Sequence, residues 1–134
     1  MNSESLVKEI DEMHQLSKEA LSQKRFESYI ELFSDNLKYK QFDGKIIDKK
    51  ELARNTASYF NRLKTATSKF ERKNYNIEGN RFTENLIQTA TASIRVFIFF
   101  TKSWTVEREG IYEWIKEEGS WKIEKVEILH EKVF

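Results

Sequence analysis

Between Trp104 and Ile128 the chain alternates with a period of two, the spacing of a strand with one dry face and one wet face. Even positions Trp104, Val106, Arg108, Gly110, Tyr112 and Trp114 are mostly aromatic or apolar, whereas odd positions Glu107, Glu109, Glu113 and Glu117 are carboxylates, interrupted by Ile111 and Ile115. The turn EEGS at residues 117–120 reverses the chain, and Gly119 supplies the permissive backbone. Trp121, Ile123, Val126 and Ile128 carry the apolar pattern down the return arm. The step from Ile123 to Val126 is three residues rather than two, which predicts a β-bulge near Glu124 and Lys125. A bulge bends a strand, so a curved sheet with something packed in its hollow is expected.

Upstream, the period changes to that of helices. Leu6, Ile10, Met13, Ser17, Ala20 and Leu21 form one apolar stripe, with Ser3 or Ser5 as cap and Lys24 and Arg25 at the far end. His14 falls one position off the stripe and reads as a boundary residue. Phe26, Tyr29, Ile30 and Phe33 predict a second, short helix, and Ser34-Asp35-Asn36 a turn. Leu37 to Phe42 alternate as a strand leading into Asp43-Gly44, the strongest turn signal in the chain. Asp48 and Glu51 form a capping pair for a helix whose buried face is Leu52, Ala53, Thr56, Tyr59, Phe60 and Leu63.

Further strands are predicted near residues 67–78 and 85–101. In the second, Gln88, Ala90, Ala92, Ile94, Val96, Ile98 and Phe100 share a core face, and Thr89, Thr91, Ser93, Arg95, Phe97 and Phe99 point outward. An outward apolar patch on a sheet predicts a partner surface, here a homodimer packed through Arg95, Phe97 and Phe99. Cover by the C-terminal tail or a loop is the alternative.

The order of elements, with LFSDNLKY at 32–39, DKKEL at 48–52 and WIKEEGSWKI at 114–123, is similar to the nuclear transport factor 2-like superfamily along nearly the whole chain. SnoaL-like and ketosteroid-isomerase-like proteins belong there. The resemblance implies an α+β fold of cystatin-like topology, a cone in which N-terminal helices pack in the concave face of a strongly curved mixed β-sheet. It implies one domain over residues 1–134, with a pocket lined by Tyr29, Tyr39, Gln41, Tyr59, Arg108, Tyr112, Trp114 and His130. The plainer alternative for each aromatic among these is core filling. The chain departs from the isomerase-like pattern where it matters most. The position of the general-base Asp is Gln41, that of the first-helix Tyr is Ser17, and that of the hairpin Asp is Gly110. The Asp–His pair of dehydratase-like members has one counterpart, Asp43 with His130.

Composition narrows the chemistry. The 134 residues hold ten Phe, five Tyr and three Trp, enough large side chains for a core, and no Cys, which removes disulfides, thiolate ligands and Cys nucleophiles. Net charge is +1, although residues 37–73 carry 11 basic against 4 acidic side chains. No nucleic-acid motif accompanies those charges, so a solvated face and a lysine-protected sheet edge is the favoured reading, and no nucleic-acid partner is expected. The longest apolar run, VFIFF at 96–100, is far too short for a membrane span, and no signal peptide is visible, so a cytoplasmic protein is expected. His14 and His130 lie too far apart, without spaced carboxylates, to suggest a metal site, and no cofactor motif is present. His130, on the proposed inner face with Val126 and Ile128, is the best titratable candidate for acid or base work, and Asp43 is the second. The functional reading therefore divides in two. One is a binder of a small hydrophobic molecule, extending to lyase or isomerase chemistry. The other is a non-catalytic dimeric binding or assembly module of the same shape.

Overall fold

A computed structural model describes residues 3–97 and 100–134, with the side chain of Phe97 also outside the described set. Helix α1 (Ser3–Ser22) is followed by the short α2 (Phe26–Ile30), strand β1 (Phe33–Lys40), strand β2 (Ile46–Ile47), helix α3 (Lys49–Arg62) and strands β3 (Leu63–Glu78), β4 (Arg81–Phe97), β5 (Phe100–Glu117) and β6 (Ser120–Val133). The strands form one sheet in the order β2-β1-β6-β5-β4-β3. The β1–β6 pair is parallel and the others are antiparallel, so the sheet is mixed. It is curved and not closed, with the N-terminal helices packed on it. No described helix is long and apolar enough to cross a membrane.

Local chemistry explains most boundaries. Asp48 caps α3 by accepting a 2.9 Å hydrogen bond from the Glu51 backbone amide, as the D-x-x-E pattern predicts. The β5–β6 loop has two central residues, Glu118 and Gly119, both at positive φ (51° and 82°), the geometry of the type I′ turn whose twist suits a hairpin. The β1–β2 reversal is held by Gly44 at φ 89° and by Asp43, whose carboxylate accepts from the Lys45 amide at 2.9 Å.

Three expectations from the sequence are corrected. Ser34-Asp35-Asn36 lie inside β1 rather than in a turn before it. The turn chemistry appears as an irregularity between Phe33 and Lys38, where the Ser34 hydroxyl accepts from the Asn36 amide at 3.1 Å. The apolar run at 96–100 is not the end of one strand, because β4 ends at Phe97 and β5 begins at Phe100, paired across the junction. The return arm carries two bulges, not one. The first is at Glu124, as predicted: Trp114 pairs with Ile123 but Glu113 with Lys125. The second is at Leu129, since Gly110 pairs with Ile128 but Glu109 with His130. Gly110 opposes this second bulge, where an added Cβ would lie 3.0 Å from the Glu127 carbonyl oxygen and 3.2 Å from both the Ile128 and Tyr112 side chains. Backbone crowding at the bend accounts for the one glycine inside β5.

The main core lies between α1 and the inner sheet face. Ile10 belongs to one buried cluster with Phe82, Leu86, Tyr112, Trp114, Trp121, Ile123, Val126 and Ile128. A smaller cluster of Phe60, Leu63, Ala66 and Ala92 sits under α3. Tyr112 and Trp114 point inward and Glu107 is exposed, as the alternation in β5 requires.

Candidate ligand cavity

Down the inner face of β4 the side chains shrink: Phe82, Glu84, Leu86, Gln88, Ala90, Ala92. At the large-residue end, Phe82, Leu86 and Trp114 close the interior, with relative exposures of 0%. At the small-residue end, Ala66 and Ser68 of β3 and Ala90 and Ala92 of β4 leave a cavity of about 790 Å³ between sheet and helices. Its roof is Ser17 and Leu21 of α1, Tyr29 of α2, and Leu52, Asn55, Thr56, Tyr59 and Phe60 of α3. Its floor is completed by Trp104, Val106 and Arg108 of β5 and by Ile128, Glu131 and Val133 of β6. Tyr39, Gln41, Phe42, Asp43 and Ile47 form the side at the β1–β2 reversal. A mostly apolar hollow with a few polar groups is the usual form of a small-molecule site.

Arg108, Glu131 and three phenols are the chief polar groups of the lining. Arg108 is half-exposed into the hollow and sends Nη2 toward Glu131 Oε1 at 3.4 Å, a long contact. Burial raises the Tyr29 phenol to about 12, the nearby Tyr39 phenol adding to the effect and Arg108 opposing it. Burial also raises Tyr39 and Tyr59, again with Arg108 in opposition. These phenols stay neutral at ordinary pH and act as hydrogen-bond donors. Tyr112 is buried in the core below the cavity, its hydroxyl donating to Gln88 Oε1 at 2.6 Å.

The structure thus brings Tyr29, Tyr39, Gln41, Tyr59 and Arg108 to one cavity. Tyr112 and Trp114 lie beneath it in the core. His130 is a correction: it is exposed and pairs with Glu109 on the outer face. The Leu129 bulge inverts the alternation after Ile128, so Glu131 takes the inward place expected for His130. Asp43 reaches only the rim, is exposed, and is engaged by its own turn. An Asp43–His130 pair therefore does not form in the cavity. Of the expected dimer patch, Arg95 is exposed; Phe99 and the Phe97 side chain lie outside the described residues. No group of three or more His, Asp or Glu side chains able to hold a metal occurs among the described residues.

A second polar assembly escaped the sequence reading altogether. Glu84, 1% exposed, accepts from Trp114 Nε1 at 2.6 Å and Arg72 Nε at 2.8 Å, and its Oε2 lies 2.8 Å from His14 Nε2. Arg72 Nη2 also reaches Asp11 at 2.7 Å. His14 is buried against the Phe70 ring, 4.2 Å away between centroids, and meets the edge of Trp114. Burial alone would raise the Glu84 carboxyl, but His14 and Arg72 outweigh it and hold it below its ordinary value. This cluster surrounds Trp114 at the closed end and ties α1 to β3, β4 and β5. The signals for it were present: His14 is one turn beyond Ile10, and Glu84 has the same strand parity as Gln88 and Ala90.

No family model and no curated protein matches this sequence. Solved structures do match its shape. A Kribbella flavida protein superposes with a TM-score of 0.80 at 14% identity, over 98% of this chain and 95% of that one. A nuclear transport factor 2-like superfamily protein from Salmonella enterica gives 0.74 at 17% identity, over 95% and 92%. A hexachlorocyclohexane dehydrochlorinase gives 0.69 at 9% identity, over 97% and 89%. At these identities the likeness establishes the fold: the chain has the nuclear transport factor 2-like, cystatin-like architecture that its sequence resembles.

Proposed function

We propose that this nuclear transport factor 2-like chain binds a small, largely hydrophobic molecule in the cavity between α3 and the inner sheet face. One observation carries the reading: a hollow of about 790 Å³ is left open by Ala66, Ala90 and Ala92, in a protein whose other end is packed solid by Phe82, Leu86 and Trp114. Interiors otherwise fill to crystal-like density, so a void of this size with aromatic walls suits an occupant. The roof and floor aromatics Phe60, Tyr59 and Trp104 would supply flat apolar contact, and the phenols and Arg108 would fix orientation.

A lyase or isomerase step is the extension of this reading. One structurally similar protein is a dehydrochlorinase. Such a step moves a proton, and in this cavity the proton acceptor would be Glu131, the carboxylate beside Arg108. The isomerase-like acid–base positions do not support the alternative route, because Gln41 and Ser17 line the hollow without a titratable group and Gly110 has none.

Ala90→Trp tests the site. Ala90 faces the cavity opposite Val106, so an indole there has space to enter without displacing core side chains. The neutral fluorophore N-phenylnaphthylamine should bind the unaltered protein saturably, one per chain, and roughly tenfold or more weaker in A90W, a loss of about 1.4 kcal/mol or more. The melting temperature should change little. Equal binding by both proteins would remove the cavity from the account.

A further inference from the structure

The three inward or sheet-crossing arginines are used very differently. Arg72 is clamped by two carboxylates, at 2.8 Å to Glu84 and 2.7 Å to Asp11. Arg81 is likewise clamped, at 2.6 Å to Glu113 and 2.9 Å to Glu124. Arg108 has a single contact, at 3.4 Å to Glu131, and among the described residues no acceptor engages Nε or Nη1. A guanidinium carries five N–H donors in a planar fork that matches a carboxylate, so most of the donor capacity of this cavity-lining arginine is unused by the protein. The same cavity offers further donors. Among the described residues, the hydroxyls of Tyr29, Tyr39 and Tyr59 have no hydrogen-bond partner, whereas the Tyr112 hydroxyl is committed to Gln88. The cavity around Arg108 is therefore rich in unused donors, while Phe60, Ala66, Ala90, Ala92 and Trp104 give it apolar lining.

Resting on the proposed binding of a hydrophobic molecule, we propose that the ligand is an amphipathic organic anion, an aromatic or alicyclic carboxylate whose carboxyl group docks on Arg108 with the Tyr39 phenol beside it. Glu131 opposes this anion and competes with it for Nη2. That competition limits affinity and excludes anions that cannot reach Nε and Nη1. The hydrocarbon body lies toward Trp104, Phe60 and Ala90. Charge-assisted hydrogen bonds are the strong kind, and more so in a site walled by apolar groups.

The experiment compares two isosteric probes, naphthoate and its neutral amide, by calorimetric titration of the full chain at pH 7 and low salt. Naphthoate should bind roughly tenfold or more tighter than naphthamide, the difference between a hydrogen bond to a charged group and a neutral one. Arg108→Gln should abolish that preference by weakening naphthoate roughly tenfold or more while weakening naphthamide far less, and Arg108→Lys should retain part of it. Glu131→Gln, by removing the competing carboxylate, should strengthen naphthoate binding several-fold. Circular dichroism of each variant checks that the fold is kept. Equal binding of both probes to the unaltered protein, or a preference for naphthoate that survives Arg108→Gln, would overturn the anion inference and leave the hydrophobic cavity standing. Failure of both probes to bind would overturn the inference together with the cavity reading it rests on.

Discussion

Glu84→Ala is expected to destabilise the protein by about 3–5 kcal/mol, the usual cost of removing one partner from a buried charge cluster. The carboxylate is 1% exposed and answers three donors at once, from Trp114, Arg72 and His14. Without it the Arg72 charge keeps only Asp11, and the indole N–H is left buried with no acceptor. A domain of this size commonly has a total stability of about 5–15 kcal/mol, so the variant would lose a large share of it. Urea denaturation followed by tryptophan fluorescence measures the loss. The same cluster fixes a pH dependence. The folded-state pKa of Glu84 is depressed below the ordinary 4.5, so its stabilisation is fully present above the unfolded value and is lost as pH falls through the lower folded value. The unaltered protein should therefore lose this contribution below about pH 4.5, and Glu84→Ala should show a shallower acid slope. A Glu84→Ala protein as stable as its parent would mean that the cluster does not tie α1 to the sheet.

Trp114→Ala should cost about as much, roughly 3–5 kcal/mol, by a different route. Trp114 has 0% exposure and fills the closed end between His14 and the core, so its removal leaves a large void as well as an unpaired bond at Glu84. Thermal melts should show a drop of roughly 10 °C or more, given the per-residue entropy of unfolding. Because Trp114 and Glu84 share a hydrogen bond, the double variant should lose less than the sum of the two singles. Strict additivity would indicate that the 2.6 Å contact contributes nothing.

Where the chain states its pattern twice, the sequence was sufficient. In β5 the alternation of aromatics and carboxylates fixes the inner face, and the three-residue step from Ile123 to Val126 marks the first bulge. The Asp48–Glu51 spacing marks the start of α3 and the Asp43-Gly44 pair marks the β1–β2 turn. Five of the eight residues that the resemblance places around the pocket line the cavity, and of these Arg108 also follows from the alternation in β5. The failures have a common cause. At the second bulge, Ile128 and Leu129 are both apolar, so no break in pattern reports the slip, and the inward place passes from His130 to Glu131 unannounced. At 96–100 every residue is apolar and no turn-forming residue intervenes, so nothing in the pattern marks the boundary between β4 and β5, which the sequence puts after 101. Glu84 and His14 were missed because a buried charge looks in sequence like a surface one. Its partners lie up to 70 residues away, and only the folded chain brings them together.

A pocket was implied by the family resemblance alone; the residues themselves put Ala90 and Ala92 on the core face, and the hollow they leave beyond Phe82 and Leu86 belongs to the folded chain. Its polar side is hidden in sequence too, because the unused donors of Arg108 are visible only once Arg72 and Arg81 are seen to be occupied.

A crystal structure of the protein grown with N-phenylnaphthylamine tests the central claim most directly. The account predicts the probe's rings in the hollow, bounded by Trp104, Phe60 and Ala90, with Tyr112 and Trp114 still buried beneath. A structure in which Phe60, Tyr59 and Trp104 fold inward to fill that space, with the probe bound elsewhere on the surface, would contradict it.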